Sequence, residues 1–162
     1  SEIIFLEGYL WDEGSPRKAF EKAINNSNKV AMSLSDKFCV DRHKVNFLDL
    51  VKNKLDITFS NEEEIMSLIN AKEFDEVINF GKETNKHIIV TRGNKGAISI
   101  KNRIVTEVGV KKNLNIIDLT GAGDLFASGY LHGYLNKKTE QDCLEKGTEM
   151  SSKIIEQIGA RL

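Results

Sequence analysis

The sequence predicts an α/β fold with three layers, in which helices cover both faces of a mostly parallel central sheet. Two observations predict it. Short apolar runs at residues 29–34, 55–59 and 87–91 alternate with longer stretches whose apolar residues recur at helical spacing. Strands and helices alternating at that scale build parallel sheets. Polar or glycine-bearing motifs also follow directly on three strand-like runs, at Asn61, Gly93 and Asp118. In open α/β sheets, ligands bind beyond the carboxyl ends of the strands. The three positions are therefore expected to gather along one sheet edge.

Taken in order, residues 3–6 (Ile-Ile-Phe-Leu) read as a buried strand and 7–14 as a loop. Pro16, the only proline, suits a first helical turn, where its missing N–H is not needed. Residues 18–26 continue that helix, with Ala19, Phe20, Ala23 and Ile24 at helical spacing. After the strand at 29–34, a helix is expected over 41–53, where Val45, Leu48 and Val51 stand three apart beside Phe47 and Leu50. Residues 55–59 form the next strand, and 62–68 and 74–84 are helices. The run 87–91 is a buried strand, and 97–100 with 104–110 alternates like a hairpin pair. Asn115-Ile-Ile117 reads as the end of a strand, and 125–135 and 141–159 as the final helices.

The bulk properties narrow the function classes. A chain of 162 residues suffices for one domain with a real core, here residues 1–162. Net charge is −1, with no acidic or basic half, which argues against a nucleic-acid partner. The short basic groups Arg42-His-Lys44 and Lys111-Lys112 read as solvated surface. Cys39 and Cys143 are far apart, as expected of reduced thiols in a cytoplasmic protein. His43, His87 and His132 stand alone, without metal-ligand spacing. The longest charge-free apolar stretch, 125–135, is too short to cross a bilayer, so no membrane partner is expected. The sequence opens at Ser1 already in a strand-like run, which suggests a piece of a longer protein with one strand edge open to self-association.

Asp118-Leu-Thr-Gly-Ala-Gly-Asp124 carries the most chemistry. It lies between a strand-like run and a helix. Gly121 and Gly123 let the backbone approach a ligand with no Cβ in the way, and the helix start presents unpaired N–H groups to an anion. A carboxylate on the same turn, Asp124, would repel a phosphate unless its task is to take a proton from a nucleophile. The combination points to phosphoryl transfer. A dinucleotide fingerprint would need glycine at position 126, which is Phe126, and no P-loop string is present. The plain structural reading is an acid-capped helix with a tight glycine turn.

Two further motifs are candidates. Asn61 and Glu64, three apart on a helix start, share a face and could serve a phosphate-bound metal, or they could simply cap the helix. Thr91-Arg-Gly-Asn-Lys-Gly96 is a strand-end turn able to hold nucleotide phosphates. Gly129 and Gly133, four apart on one helix, are expected to permit tight packing. Core packing is the default role of Tyr9, Trp11 and Phe38, and a wall for stacking a base is the alternative.

The loop resembles the second signature of the ribokinase-like (PfkB) carbohydrate kinases, Asp-Thr-x-Gly-Ala-Gly-Asp. Leu119 is the departure, where the family has Thr or another small residue, and it is expected to touch local packing. Asn61-Glu-Glu-Glu64 is similar to the family's Asn-x-x-Glu element. Thr91-Arg-Gly-Asn-Lys-Gly96 is similar to its Thr-x-Gly-x-x-Gly turn, and Gly159-Ala-Arg161 to its C-terminal Gly-Ala-Arg. Order and spacing agree, and the chain corresponds to the family's C-terminal half.

The resemblance implies a ribokinase-like fold and transfer of the ATP γ-phosphate to a hydroxyl of a nucleoside or sugar. Asp124 would be the general base, and the amides of Gly121, Ala122 and Gly123 would hold the developing charge. Asn61, Thr91, Arg92, Gly93, Gly96 and Asp118 would serve the nucleotide, and Glu64 would reach Mg2+ through water. A monovalent cation is a further cofactor that the resemblance leaves room for. The missing N-terminal half would supply most acceptor contacts, so this chain alone is expected to be inactive. The stretches Leu34-Ser-Asp-Lys-Phe38 and Leu55-Asp-Ile-Thr-Phe-Ser-Asn61 look most like adenosine kinases. The alternatives are a ribokinase- or fructokinase-type sugar kinase and a non-catalytic nucleotide-binding protein on the same scaffold.

Overall fold

The computed structural model describes residues 2–11, 14–111 and 113–161. Asp12 and Glu13 of the expected loop, and Lys112 of the basic pair, lie outside the described residues. The elements are β1 (Ile4–Glu7), α1 (Ser15–Asn25), β2 (Val30–Ser33), α2 (Lys37–Asn53), β3 (Ile57–Asn61) and α3 (Glu62–Ile69). They continue with α4 (Phe74–Thr84), β4 (His87–Thr91), β5 (Ala97–Lys101), β6 (Ile104–Val108), α5 (Ala122–Leu135) and α6 (Glu140–Ile154).

The strands make a six-stranded sheet in sequential order, β1 to β6. β1 pairs parallel with β2 and β2 with β3, in the registers Ile4–Val30 and Ala31–Ile57. Helices α1 and α2 are the crossovers that parallel neighbours require. The β4–β5 and β5–β6 connections are too short for a crossover, so these strands run antiparallel. Asn102 and Arg103 turn the second of these hairpins at φ of 50° and 64°, the backbone of a two-residue type I′ turn. The sheet is thus mostly parallel on one side and ends in the expected hairpin.

The chain divides into two compact units, one running to Val90 and including Ile100–Ile104, the other formed by Thr91–Ser99 and the residues from Val105 onward. In the first unit, β2 is buried along its apolar length at Val30, Ala31 and Met32, as in a strand covered on both faces. Phe47, Leu50 and Val51 of α2 and Ile65 and Leu68 of α3 are buried in this core. α2 begins four residues before the expected start. The Asp36 carboxylate caps it by accepting from the Cys39 amide at 2.6 Å, and the helix kinks at His43 (φ −114°, ψ 20°). Trp11 is a core residue, packed edge-on against Phe20 with ring centroids 4.9 Å apart. Core packing does not describe the other two aromatics: Tyr9 donates its hydroxyl to Asp36 at 2.8 Å, and Phe38 is 82% exposed.

In the second unit, α5 and α6 cross closely. A Cβ on Gly129 would stand 2.7 Å from the Lys146 carbonyl oxygen, and one on Gly133 would stand 3.0 Å from Cys143 Sγ. Those two glycines therefore serve packing, as expected. Beside the crossing, the fully buried Tyr130 hydroxyl and the Ser99 hydroxyl both donate to Glu140. Two expectations fail here. Residues 115–117 are not a strand but an extended loop with Ile116 and Ile117 exposed, and α6 stops at Ile154 rather than 159. Both have one cause. The Ile117 and Asp118 amides donate to the Ile155 carbonyl at 2.8 and 3.3 Å, so the loop bonds to the chain just beyond α6 instead of to a strand.

Candidate functional site

The signature loop stands at the N-terminus of α5. Gly121 is the N-cap, in the left-handed region at φ 78° and ψ 1°, where only glycine is unstrained. Its missing Cβ also matters, since one placed there would stand 2.8 Å from Ala160 Cβ. Asp118 braces the loop from within. Its Oδ1 accepts from the Thr120 amide and hydroxyl at 2.9 and 2.7 Å, and its Oδ2 accepts from the Gly159 amide at 3.0 Å. Those bonds hold the carboxyl below the usual carboxylate range, the Thr120 hydroxyl contributing most. The C-terminal Gly159-Ala-Arg segment is thus the physical buttress of the loop, which its sequence position alone did not reveal.

The helix start leaves donors open. The Ala122 amide is already engaged, donating to the Leu119 carbonyl at 3.1 Å. Of the three amides expected to face an anion, those of Gly121 and Gly123 remain available. Gly123 is exposed, and a Cβ there would meet nothing within 4 Å, so the space beside its backbone is open. The Asp124 side chain lies in the first turn of α5 and is exposed. A carboxylate with solvent access beside open amides can accept a proton from a bound hydroxyl.

A cavity of about 470 Å3 adjoins this helix start. Thr91, Gly93 and Gly96 line it, together with Ala122 and Gly123. The turn between β4 and β5 is closed by the Arg92 amide donating to the Gly96 carbonyl at 2.8 Å. Gly93 has φ 56°, and a Cβ on Gly96 would lie 1.9 Å from the Val108 carbonyl oxygen, so this turn admits only glycine there. Arg92 is half-buried and is not among the residues lining the cavity.

Sequence reasoning missed two parts of the wall. One is an apolar leaf of Val110, Ile116 and Leu119, of which Ile116 and Leu119 are more than 60% exposed. Leu119 therefore does not serve local packing, as expected from its place in the motif, but faces the cavity. The other is a ridge on α6, Thr148, Ser151 and Ser152, followed by Ile155. Its spacing of i, i+3, i+4 and i+7 was readable as one helix face.

In the first unit, Asn61 caps α3 in a full capping box. Its Oδ1 accepts from the Glu64 amide at 2.8 Å, while its own amide and Nδ2 donate to Glu64 Oε2 and Oε1 at 2.9 and 2.7 Å. Burial raises the pKa of Glu64 above its ordinary value, against the lowering effect of the Asn61 amide, and nearby Asp36 adds to the rise. Among the described residues, no group of three or more His, Cys, Asp or Glu could hold a metal ion. Glu64 does offer oxygen donors with lone pairs beyond those Asn61 uses. A metal arriving on phosphates and touching protein only through water is compatible with that.

A glycine loop that opens a helix beside a carboxylate is local geometry suited to handling a phosphate. The chain belongs to the pfkB family of carbohydrate kinases, whose family profile matches residues 1–162. Adenosine kinase from Sinorhizobium meliloti superposes with a TM-score of 0.95 at 32% identity, over 100% of this chain and 51% of that one. A probable sugar kinase from Rhizobium etli gives 0.93 at 36%, over 99% and 50%. Adenosine kinase from Dictyostelium discoideum is 27% identical over 99% of this chain and 51% of its own length. The chain thus spans about half the length of these relatives. Among the described residues, no helix is long and apolar enough to cross a membrane.

Proposed function

We propose that this chain carries the nucleotide site and the catalytic loop of an ATP-dependent kinase whose acceptor is a nucleoside of the adenosine type. The observation that carries the proposal is the exposed Asp124 carboxylate on the same helix turn as the open amides of Gly121 and Gly123, beside a cavity of nucleotide size. Asp124 takes the proton of the acceptor hydroxyl, whose oxygen attacks the γ-phosphorus. The bond from that phosphorus to the β,γ-bridging oxygen breaks, and ADP leaves with its electron pair. The Gly121 and Gly123 amides bind the charge on the transferred phosphoryl group, and the α5 dipole favours it there. Mg2+ entering with ATP would neutralise phosphate charge, with Glu64 reaching it through water.

The adenosine kinases among the relatives support the nucleoside reading. The 36% match to a probable sugar kinase supports a second reading, with a free sugar as acceptor. A non-catalytic binding protein would have no use for an exposed carboxylate at its anion site. The test is kcat/KM for adenosine, ribose and fructose under one Mg-ATP condition, on the protein as expressed from its own gene. Preference for adenosine is expected. Preference for a free sugar would transfer the assignment to the second reading, and no turnover of any acceptor would overturn the kinase assignment.

A further inference from the structure

A cluster of two hydroxyls and a carboxylate in the second unit has no part in the proposed phosphoryl transfer. Ser99 and Tyr130 are fully buried, yet each ends in a hydroxyl. Both hydroxyls donate to Oε1 of Glu140, that of Ser99 at 2.7 Å. The three residues come from three elements that wall the cavity. Ser99 is in β5, which begins at Ala97; Tyr130 is in α5, which carries Gly123 and Phe126; Glu140 opens α6, which carries Ser151 and Ser152. Burial, and then the Glu140 carboxylate, push the Tyr130 pKa above its ordinary value, so the hydroxyl keeps its proton and stays a donor. The start of α6 does not depend on the Glu140 side chain. It is held by the Thr139–Asp142 capping box, in which Thr139 Oγ1 accepts from the Asp142 amide at 3.1 Å. Nor does the crossing of α5 and α6 depend on it, since a Cβ on Gly147 would stand 2.8 Å from the Phe126 carbonyl oxygen. Apolar side chains would fill the same space without the cost of desolvating a carboxylate.

We infer that Glu140 is a positioning residue: by holding Ser99 and Tyr130 on one oxygen, it sets the separation between the glycine turn before β5 and the signature loop that opens α5. This inference rests on the kinase reading. Ser99 lies three residues along β5 from Gly96, about 10 Å at the rise of a strand. Tyr130 lies nine residues along α5 from Gly121, roughly 14 Å at the rise of a helix. The clamp therefore touches no phosphate and acts through the stiff elements on either side of it. Hydrogen bonds to an ionised acceptor are directional and about twice as strong as neutral ones. Apolar contacts are non-directional and let elements slide. Either the turn or the loop can hold a nucleotide, but transfer of its γ-phosphoryl group needs both in register. A loosened clamp thus costs turnover more than affinity.

The experiment uses the protein as expressed from its own gene. Calorimetry gives Tm, the ADP affinity and the number of ADP-binding sites. A single turnover with Mg-ATP gives the transfer rate per site, with whichever of adenosine, ribose and fructose the parent turns over best. Ser99→Ala, Tyr130→Phe and Glu140→Leu together remove every bond of the clamp and leave no group unpaired. Such a swap is nearly neutral for folding, so Tm should stay within about 3 °C of the parent. The ADP affinity should stay within about threefold, while transfer per site falls by about 10- to 100-fold, the cost of a misplacement approaching 1 Å. Glu140→Gln keeps an acceptor oxygen within reach of both hydroxyls and should retain transfer within about fivefold of the parent. Tyr130→Phe removes one oxygen atom and keeps the buried ring, so it should slow transfer by about three- to tenfold with ADP affinity unchanged. Transfer per site within about twofold of the parent in Tyr130→Phe and the triple variant would overturn the inference and leave the kinase reading standing. A loss of ADP affinity as large as the loss of transfer would do the same. Should the triple variant not fold, Tyr130→Phe decides alone. No transfer by the parent to any of the three acceptors overturns both.

Discussion

Replacing Gly123 by alanine separates the helix from the site. Gly123 is the second residue of α5, its φ is not positive, and an added Cβ would find no atom within 4 Å. In the protein alone the change is therefore free of strain. Alanine also loses less backbone freedom than glycine in a helix, so the variant should be more stable by about 0.5–1 kcal/mol. That corresponds to a rise in Tm of roughly 1–4 °C for a protein of this size. The empty space beside Gly123 is where the phosphates would approach. A methyl group there would hold them off by about 1 Å, and misplacement of that order costs roughly 10²-fold in turnover. Calorimetric unfolding and steady-state kinetics with Mg-ATP give both numbers. A variant with raised Tm and undiminished kcat/KM would refute the placement of the phosphates on this turn.

Three further outcomes follow from the same geometry. Glu64→Gln should weaken the dependence of turnover on Mg2+ concentration. The carboxyl's pKa is raised in the folded state, so its contribution favours folding below the carboxylate range and is lost as pH rises through it. Denaturant unfolding should therefore show the stability of the Gln variant, relative to the parent, increasing as pH rises above the ordinary glutamate range; a constant difference would contradict the burial cost. Gly129→Ala drives a Cβ to 2.7 Å from the Lys146 carbonyl oxygen and should cost about 1–3 kcal/mol, read as a lowered Tm with Mg-ATP KM unchanged in the fraction that stays folded. The 162-residue chain expressed alone should show no phosphate transfer and should self-associate in sedimentation through the edge strand β1; a monomeric, active chain would contradict that.

Much of this architecture was legible in the sequence because local patterns and tertiary demands agree. β2 reads as a continuous apolar run because it is buried along that length, and α5 is found because its helix follows a glycine turn. Where the two demands separate, the sequence misled. The run Ile116-Ile117 looks like a strand, yet the Ile117 amide bonds to Ile155, and both side chains stay exposed, that of Ile116 lining the cavity. Apolar residues held in water for a ligand cannot be told by pattern from apolar residues bound for a core. The end of α6 was misplaced because no breaker stands at Ile154; the chain turns there to buttress Asp118, a contact 41 residues distant in sequence. Gly121, Asp118 and Gly93 were legible as motif positions. The Ala122 amide was not, since its engagement by the Leu119 carbonyl is a matter of turn geometry alone.

The most direct test of the central claim is the rate of phosphoryl transfer in Asp124→Asn, measured in a single turnover with Mg-ATP and adenosine on the protein as expressed from its own gene. The substitution keeps the shape of the side chain and removes the proton acceptor. Asp124 is exposed at the start of α5, so the fold and the affinity for ADP should be preserved. Transfer should slow by roughly 10²–10⁴-fold. A variant that binds ADP as the parent does and transfers phosphate at close to the parental rate would show that Asp124 is not the base.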